Sequence, residues 1–189
     1  MSLDLRRFPR RSLRGDRAIY RIHRASTSGW WFSADGSGRF DPVGTGHGAC
    51  YFAEAPLGAW VEVFRRQMQL RDVAVSERAL LTVTLRRDAR LADLTSRRAL
   101  GFGITASLGA DPDYCASQAF AIDALKAGCG GIRYLARHDP AQKLYGIALF
   151  GAAGASQGPI EAHALSGPIP DELVDQARAR FGYRIVPRP

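Results

Sequence analysis

Residues 36–66 combine the residue types best suited to holding a phosphate group. The stretch contains six glycines, and Arg39 stands directly after Gly38. Glycine lets the backbone approach a ligand closely, and the planar fork of arginine pairs with phosphate oxygens. The segment 44–48 (GTGHG) is neither a Walker loop, because no Gly-Lys-Ser/Thr follows, nor a Rossmann fingerprint, because the predicted strand follows the glycines. Taken alone, the loop is a weak signal, and a connecting turn is its default interpretation.

The other side chains able to do chemistry are unremarkable when each is taken alone. Glu62 falls away from the centre of an apolar helix stripe, which by spacing favours a solvated glutamate. Arg21 stands at the end of a predicted strand. The histidines lack metal-ligand spacing, so no metal site is expected; they are His23, His47, His138 and His163. His47, within the glycine loop, is a minor candidate for ligand contact.

Hydrophobic periodicity predicts the elements that would position these residues. A helix is predicted over 55–70, with Pro56 in its first turn and one apolar face formed by Leu57, Trp60, Val61, Phe64 and Met68. Further helices are predicted over 113–127, capped by Asp113, and over 171–180. Strands are predicted at 18–23, 49–53, 80–85, 131–135, 144–150 and 183–186, with the loop 35–48 between the first two. Because strands and helices do not alternate regularly, the pattern indicates a compact single α+β domain, a mixed sheet with flanking helices.

Length and composition restrict the class of protein. A chain of 189 residues with 46% hydrophobic residues fits one globular domain. No apolar run is long enough for a membrane span, and the N-terminus has no apolar signal core. Residues 1–16 are predicted to form a basic arm, mobile or lying on the surface, ahead of a domain over 17–189. Three cysteines without CxxC spacing predict reduced thiols and a cytoplasmic protein.

The charge permits two interpretations. The net charge is +8, and only Lys126 and Lys143 among the 26 basic residues are lysine. Arginine suits a phosphate-bearing ligand or nucleic acid, but arginines spread over a solvated surface explain the bias equally well. A nucleic-acid-binding module ranks last, because basic and aromatic residues are not interleaved and no binding motif is present.

A series of short motifs resembles the RES domain. In chain order they are Tyr20-Arg21, Gly38-Arg39-Phe40, Tyr51-Phe52-Ala53, Ala59-Trp60-Val61-Glu62, Asp113-Tyr114 with Gln118-Ala119, Gly131-Ile132-Arg133-Tyr134, Arg137-His138-Asp139 and Ala148-Leu149-Phe150. Each is short, but eight in series over roughly residues 17–150 are specific. The resemblance implies a fold similar to that of ADP-ribosyltransferase toxins. Members of the family include toxins of bacterial toxin–antitoxin pairs that deplete NAD by breaking it down.

The resemblance also implies an activity and a set of site residues. The activity is NAD breakdown at the nicotinamide–ribose bond by a glycohydrolase or phosphorylase, with NAD as the substrate, no separate cofactor and a helix-turn-helix antitoxin as partner. Glu62 matches the family's glutamate, which would stabilise the oxocarbenium-like ribose. Arg21 and Arg39 match arginines that would clamp the pyrophosphate, and Tyr51 matches a tyrosine that would pack on the ligand or hydrogen-bond to it.

One position departs from the family pattern. The family serine is expected where this chain has Ala136, within Arg133-Tyr-Leu-Ala-Arg137. An alanine supplies no hydroxyl to a phosphate or ribose oxygen, although Ser33, Ser107 or water could substitute. The sequence therefore leaves open an NAD-degrading enzyme, a degenerate member that binds a nucleotide without turnover, and, last, a nucleic-acid module.

A cluster of aromatic residues raises the question of self-association. Toxin–antitoxin complexes of this family form larger hetero-oligomers, so the isolated chain is a candidate homo-oligomer. Trp30, Trp31 and Phe32 are the predicted contact surface, provided that all three are exposed.

Overall fold

The computed structural model describes residues 3–65, 67–154 and 162–187. Within them the strands are β1 (Arg10–Leu13), β2 (Ala18–Arg24), β3 (His47–Ala53), β4 (Gln69–Arg71), β5 (Arg78–Leu85), β6 (Ala89–Asp93), β7 (Gly131–Leu135), β8 (Tyr145–Ala152), β9 (Ala162–Pro168) and β10 (Arg184–Val186). The α-helices are α1 (Pro56–Phe64), α2 (Asp72–Ser76), α3 (Ser107–Ala110), α4 (Cys115–Lys126) and α5 (Asp171–Phe181), and a 3-10 helix covers Arg97–Phe102.

Eight of the strands form one sheet in the order β1-β6-β7-β8-β3-β2-β5-β9. All neighbouring pairs are antiparallel except β6 and β7, which are parallel. Strands β4 and β10 pair in a separate two-stranded sheet. Helices lie against the large sheet without regular alternation, so the predicted compact single α+β domain with a mixed sheet is confirmed.

Strand β3 shows how the two faces of the sheet are used. Successive side chains of a strand point to opposite faces. Cys50 and Phe52 join the cluster that contains Ile19, Val83 and Leu149, whereas the neighbouring Tyr51 packs against the cluster that contains helix α4. The helix-covered face of β3 is therefore the face that presents Tyr51.

Helix α1 begins as predicted but ends earlier. Pro56 occupies the start of the helix, and the buried Leu57, Trp60 and Phe64 anchor it. Arg65 adopts a positive φ of 49°, and its amide donates to the Val61 carbonyl, which closes the helix at Phe64. The prediction of a helix to residue 70 is wrong, because residues 69–71 pair with β10 instead, and Met68 is 43% exposed.

The N-terminal residues are part of the packed domain, so the predicted mobile or surface-lying arm is wrong. Leu5 and Phe8 are buried, and the Phe8 ring lies 5.1 Å from that of Phe102 and 5.2 Å from that of Phe120. Strand β1 then pairs with β6 at the edge of the sheet. The sequence pattern did not identify the buried Leu5, Phe8 and Leu13, which are spaced among arginines. It also did not predict strands β1, β6 and β9.

The aromatic cluster at 30–32 does not form a shared exposed surface. Phe32 is fully buried, and Trp30 stacks on it at 6.1 Å. Only Trp31 of the three is exposed, at 57%. The condition set for self-association through these residues is therefore not met. Separately, none of the helices in the described ranges is both long and apolar enough to cross a membrane.

Candidate functional site

A cleft of about 260 Å³ opens on the helix-covered face of the sheet. Strands β2 and β3, helix α1 and the glycine loop contribute its walls. Four of the predicted site residues line it together: Arg21, Arg39, Tyr51 and Glu62. Ala136 is buried and does not line the cleft, although its neighbours Leu135 and Arg137 do. Residues up to 118 positions apart (20 and 138) are thus brought to one concavity.

Two arginines at the cleft have buried N–H groups without a partner among the described residues. Arg21 donates through Nη1 to the Tyr51 carbonyl oxygen at 3.1 Å, but its buried Nε makes no hydrogen bond. Arg39 donates through Nη1 to the Leu108 carbonyl at 3.2 Å, and its buried Nη2 is likewise unsatisfied. A buried, unpaired donor on a charged group is costly, and an oxyanion supplies the missing acceptor. The cleft is therefore suited to a phosphate-bearing ligand.

Arg39 is held in place by contacts on two sides. Its guanidinium carbon lies 4.5 Å from the centre of the Tyr114 ring, a cation–π geometry. The Leu108 carbonyl that accepts from Arg39 also accepts from the Ser117 hydroxyl, at 2.7 Å. Burial lowers the pKa of Arg39 from its usual value, but an arginine stays charged in water at neutral pH.

Glu62 projects from α1 into the cleft beside the cationic groups. No described residue hydrogen-bonds to its carboxylate, which leaves both oxygens available to a ligand. Burial raises the pKa of Glu62, whereas the positive charges of Arg65, Arg137 and Arg39 act in the opposite direction. The interpretation as a solvated helix glutamate is thus replaced by a half-buried carboxylate in an arginine-lined cleft.

The glycine loop is fixed by a buried carboxylate that the sequence analysis missed. Asp41 is fully buried and accepts three hydrogen bonds: from the Ser33 hydroxyl at 2.7 Å, from the Gly38 amide at 2.9 Å and from the Tyr51 hydroxyl at 2.8 Å. A side chain at Gly38 would collide with both Asp41 and Tyr51. No motif marked Asp41; a lone aspartate in a glycine-rich loop carries no sequence signal of burial.

A second clamp holds the same loop from α4. The side-chain amide of Gln118 donates to the Gly36 carbonyl at 2.9 Å and to the Gly38 carbonyl at 3.1 Å. Gln118 belongs to one of the motifs that resemble the RES domain. Its position explains how a residue 80 positions away in sequence determines the path of the loop that carries Arg39.

The Tyr51 hydroxyl is occupied within the protein. It donates its proton to Asp41 and accepts the Phe40 amide at 2.9 Å. Burial, followed by the charge of Asp41, raises the pKa of Tyr51 far above its usual range. A hydroxyl whose single proton is already donated cannot donate to a ligand without breaking that bond. Of the two roles expected for Tyr51, packing on the ligand is favoured.

Further lining residues come from motifs to which the sequence analysis gave no role in the site. Tyr114, Tyr134, Arg137 and His138 all line the cleft. Arg137 donates to His138 Nε2 at 3.2 Å, and both side chains lie at the cleft. His47 is exposed and is not among the lining residues.

Arg133 shows that a motif arginine need not serve the cleft. Its Nε donates to Glu54 at 2.5 Å, its guanidinium carbon lies 3.7 Å from the centre of the Tyr145 ring, and it also contacts Asp93 at 3.5 Å. These contacts tie β7 to neighbouring strands. No group of three or more potential metal-ligating side chains occurs in the portion of the chain that is described.

Comparisons with known proteins agree with this architecture. The fold is similar to a chain in the crystal structure of the M. tuberculosis MbcT–MbcA toxin–antitoxin complex, with a TM-score of 0.61 and 21% identity over 86% of this chain and 89% of that chain. No curated protein matches with significant similarity. The family model of the RES domain matches residues 18–170, a span that contains Arg21, Arg39, Tyr51, Glu62 and Ala136. The chain therefore belongs to the RES domain family.

Proposed function

We propose that the protein degrades NAD by cleaving the bond between nicotinamide and ribose. The observation that carries the proposal is the convergence, in one cleft, of two arginines with unsatisfied buried N–H groups and one half-buried carboxylate. A dinucleotide presents matching chemistry, with two phosphate groups next to a ribose that develops positive charge when its nicotinamide leaves. Family membership and the similar toxin–antitoxin structure support the same proposal.

The proposed reaction needs one carboxylate and no general acid. The C–N bond breaks with its electron pair passing to the pyridine nitrogen, which neutralises the positive charge that this ring carries in NAD. An oxygen of water or inorganic phosphate forms the new bond to the ribose carbon, and a proton is released to solvent. The products are nicotinamide and either ADP-ribose or its 1″-phosphate. Glu62 would stabilise the oxocarbenium-like ribose during this step.

The two cationic side chains would bind rather than react. Arg21 and Arg39 supply charge-assisted donors for the pyrophosphate, and the Tyr51 ring forms a wall for the ligand. Binding energy gained at the phosphates holds the ribose against Glu62. The Glu62 carboxylate stabilises the positive charge on the ribose more in the transition state than in the bound substrate. This difference raises the rate.

The direct test is nicotinamide release from NAD by the purified protein, with and without inorganic phosphate. Glu62→Gln preserves size and polarity but removes the charge, so the release rate should fall by about 100-fold or more. Nicotinamide release by the native chain that Glu62→Gln leaves unchanged would contradict the assignment of Glu62. Dependence of the rate on phosphate would identify the acceptor.

A degenerate member that binds a nucleotide without turnover is the second candidate, favoured by the alanine at position 136. The two hydroxyls named as substitutes are engaged elsewhere: Ser33 Oγ lies 2.7 Å from Asp41, and Ser107 Oγ lies 2.7 Å from the Thr105 hydroxyl. Ser37 is the serine that does line the cleft.

Ala136→Ser separates the two candidates. If the missing hydroxyl limits the rate, nicotinamide release should increase in this variant by roughly tenfold, the effect of about one hydrogen bond. If neither the native chain nor Ala136→Ser exceeds the Glu62→Gln background while NAD still raises the melting temperature, the binding function stands instead.

We further propose that the protein is the toxin of a toxin–antitoxin pair, with a helix-turn-helix protein as its antitoxin. The similar fold in the MbcT–MbcA toxin–antitoxin complex supports this proposal. Expression in a bacterial host should lower cellular NAD and arrest growth, and Glu62→Gln should prevent both effects. A gene for a helix-turn-helix protein next to that of this chain should relieve the arrest when co-expressed.

A further inference from the structure

We infer that Asp41 is a positioning residue of the cleft. It fixes the glycine loop that carries Arg39, and also the Tyr51 ring, before a ligand arrives. Asp41 is fully buried yet does not line the cleft, so it can act on a ligand only through the residues it holds. The expected effect of Asp41 on catalysis rests on the proposed function. Its hold on the glycine loop can be tested without any substrate.

The geometry assigns each Asp41 oxygen a separate task. Oδ1 accepts the Tyr51 hydroxyl, and Oδ2 accepts both the Gly38 amide and the Ser33 hydroxyl. The Tyr51 oxygen then accepts the Phe40 amide. Backbone amides on both sides of Arg39 are thus tied, directly or through Tyr51, to one carboxylate.

This arrangement restricts Arg39 more than its own contacts do. The side chain makes one hydrogen bond, to a carbonyl of the short helix α3, and stacks on Tyr114. Its backbone position depends on the amides of Gly38 and Phe40. If the loop were released, the guanidinium would lose its fixed distance from Glu62, and ligand binding would require the loop to be ordered first.

The bonding also excludes an alternative role for the tyrosine. Tyr51 cannot act as a proton donor while its hydroxyl is bound to Asp41, so the pair works as a structural unit behind the ligand. Loss of Asp41 should therefore weaken substrate binding and leave the chemical step at Glu62 nearly unchanged.

The test compares Asp41→Asn with Asp35→Asn. Asp35 is a matched control, because it lies in the same loop and accepts the Ser37 amide at 2.9 Å, but it touches neither Gly38 nor Tyr51. Its carboxylate also lies 3.0 Å from Ser33 Oγ, whose single proton is donated to Asp41 at the shorter distance of 2.7 Å. Asparagine at position 41 retains an acceptor for Tyr51 but presents an amide donor to the Gly38 N–H.

In the arm without substrate, amide hydrogen exchange is followed at Gly38 and Phe40 in folded protein. Asp41→Asn should speed exchange at both amides by about tenfold or more relative to the native chain, whereas Asp35→Asn should leave them within about twofold. Unchanged protection at both amides in Asp41→Asn would overturn the inference. This arm gives an answer even if the protein does not cleave NAD.

In the arm with substrate, KM and kcat for nicotinamide release are measured separately. Asp41→Asn should raise KM by about tenfold with kcat within about threefold of the native value, and Asp35→Asn should leave both nearly unchanged. A fall in kcat like that of Glu62→Gln, with KM unchanged, would contradict a positioning role. Tyr51→Phe combined with Asp41→Asn should raise KM by less than the product of the two single effects, since the two residues contact each other and hold the same loop.

Where Asp41→Asn proves too unstable to purify, Ser33→Ala and Tyr51→Phe take its place. Each removes one of the donors that Asp41 accepts and leaves the carboxylate present. Tyr51→Phe should speed Phe40 exchange, because the acceptor of that amide is removed, and Ser33→Ala should have the smaller effect. Equal, native-like exchange at Phe40 in both variants would refute the inferred arrangement.

Discussion

At the scale of single residues, the environment of Glu62 sets its chemistry. A glutamate on the outside of a helix would titrate near its ordinary value of 4.5, but burial raises the pKa of Glu62 above that value. Three guanidinium groups moderate the effect without reversing it. The side chain thus lines the cleft at the cost of a less stable negative charge.

The pH dependence of activity follows from this raised pKa. In the proposed reaction the carboxylate form of Glu62 stabilises the oxocarbenium-like ribose, so kcat/KM for nicotinamide release should fall as pH is lowered through the pKa of Glu62. The acid limb should therefore lie above pH 4.5, the value for an unperturbed glutamate. If kcat/KM falls only at or below pH 4.5 in a full pH–rate profile, burial does not control the pKa of Glu62.

Stability should respond to the same group with a definite sign. Between pH 4.5 and the raised pKa, the folded protein keeps a proton that the unfolded chain has lost. Glu62 therefore contributes a decrease in the free energy of unfolding as pH rises through that window. In Glu62→Gln this contribution disappears, and subtracting the two urea-denaturation series isolates it.

The two cleft arginines lead to a binding prediction. Arg21→Gln or Arg39→Gln should weaken NAD binding by about 10- to 100-fold, the range for losing a charge-assisted hydrogen bond. The increase in melting temperature caused by millimolar NAD should shrink accordingly, while the melting temperature without ligand stays near that of the native chain.

Arg137→Gln serves as the comparison, because this exposed arginine lies at the cleft but has no unsatisfied buried atom. A loss of NAD binding as large in Arg137→Gln as in Arg39→Gln would argue against a specific clamp. If duplex DNA raised the melting temperature more than NAD does, and moderate salt abolished that increase, nucleic-acid binding would be favoured instead.

At the scale of elements, the close approach of α1 to β3 positions Glu62. A Cβ added at Gly58 would lie 2.8 Å from the Cβ of Ala53, which is closer than two methyl groups can approach. Gly58 therefore allows the helix to lie directly on the strand. One turn further along, Glu62 reaches the cleft that Tyr51 lines from the strand.

Gly58→Ala should separate the helix from the strand. Alanine favours a helix over glycine by about 1 kcal/mol, but the overpacking should cost about 1–3 kcal/mol, so the variant is expected to be destabilised overall. NAD breakdown should fall as well, since Glu62 moves with α1. Urea denaturation and nicotinamide release measure the two effects.

Gly101→Ala provides the matched control for this change. Gly101 lies in the 3-10 helix, and an added Cβ there meets no atom within 4 Å. The control should unfold at the same urea concentration as the native chain or slightly above it. Equal behaviour of the two variants would show that the contact with Ala53 does not determine the packing of α1.

At the scale of the whole molecule, the N-terminal residues complete the core beneath the sheet. Phe8 packs edge-on against Phe102 of the 3-10 helix and Phe120 of α4, and Leu5 is buried in the same cluster. Helix α4 also carries Gln118, which holds the glycine loop. The first residues of the chain thus support the site from the far side of α4.

Phe8→Ala should destabilise the domain by about 3–4 kcal/mol, the usual cost of removing a buried aromatic ring. Leu100→Ala is the control, because Leu100 is 69% exposed and its loss should change the free energy of unfolding by less than about 0.5 kcal/mol. A native-like urea midpoint for Phe8→Ala would restore the description of residues 1–16 as a surface arm.

The sequence by itself determined the α+β class, most helices and central strands, and the family. These follow from local information: periodic apolar residues for α1, alternation in β5, and ordered motifs that mark Arg21, Arg39, Tyr51 and Glu62. Local information also failed in a consistent way. It extended α1 to residue 70, because the positive φ of Arg65 that ends the helix has no signature in side-chain pattern.

Only the tertiary structure decided how the site is built. Burial of a charged residue depends on distant segments, so spacing could not distinguish a solvated Glu62 from one in a cleft. Nor could it reveal that Asp41 accepts three hydrogen bonds, from Ser33, Gly38 and Tyr51. Hydrogen bonds within an irregular loop, or between residues as distant as Gln118 and Gly38, leave no periodic trace in either partner. For this reason the sequence named four of the residues that line the cleft, whereas the groups that hold them became visible only in the folded chain.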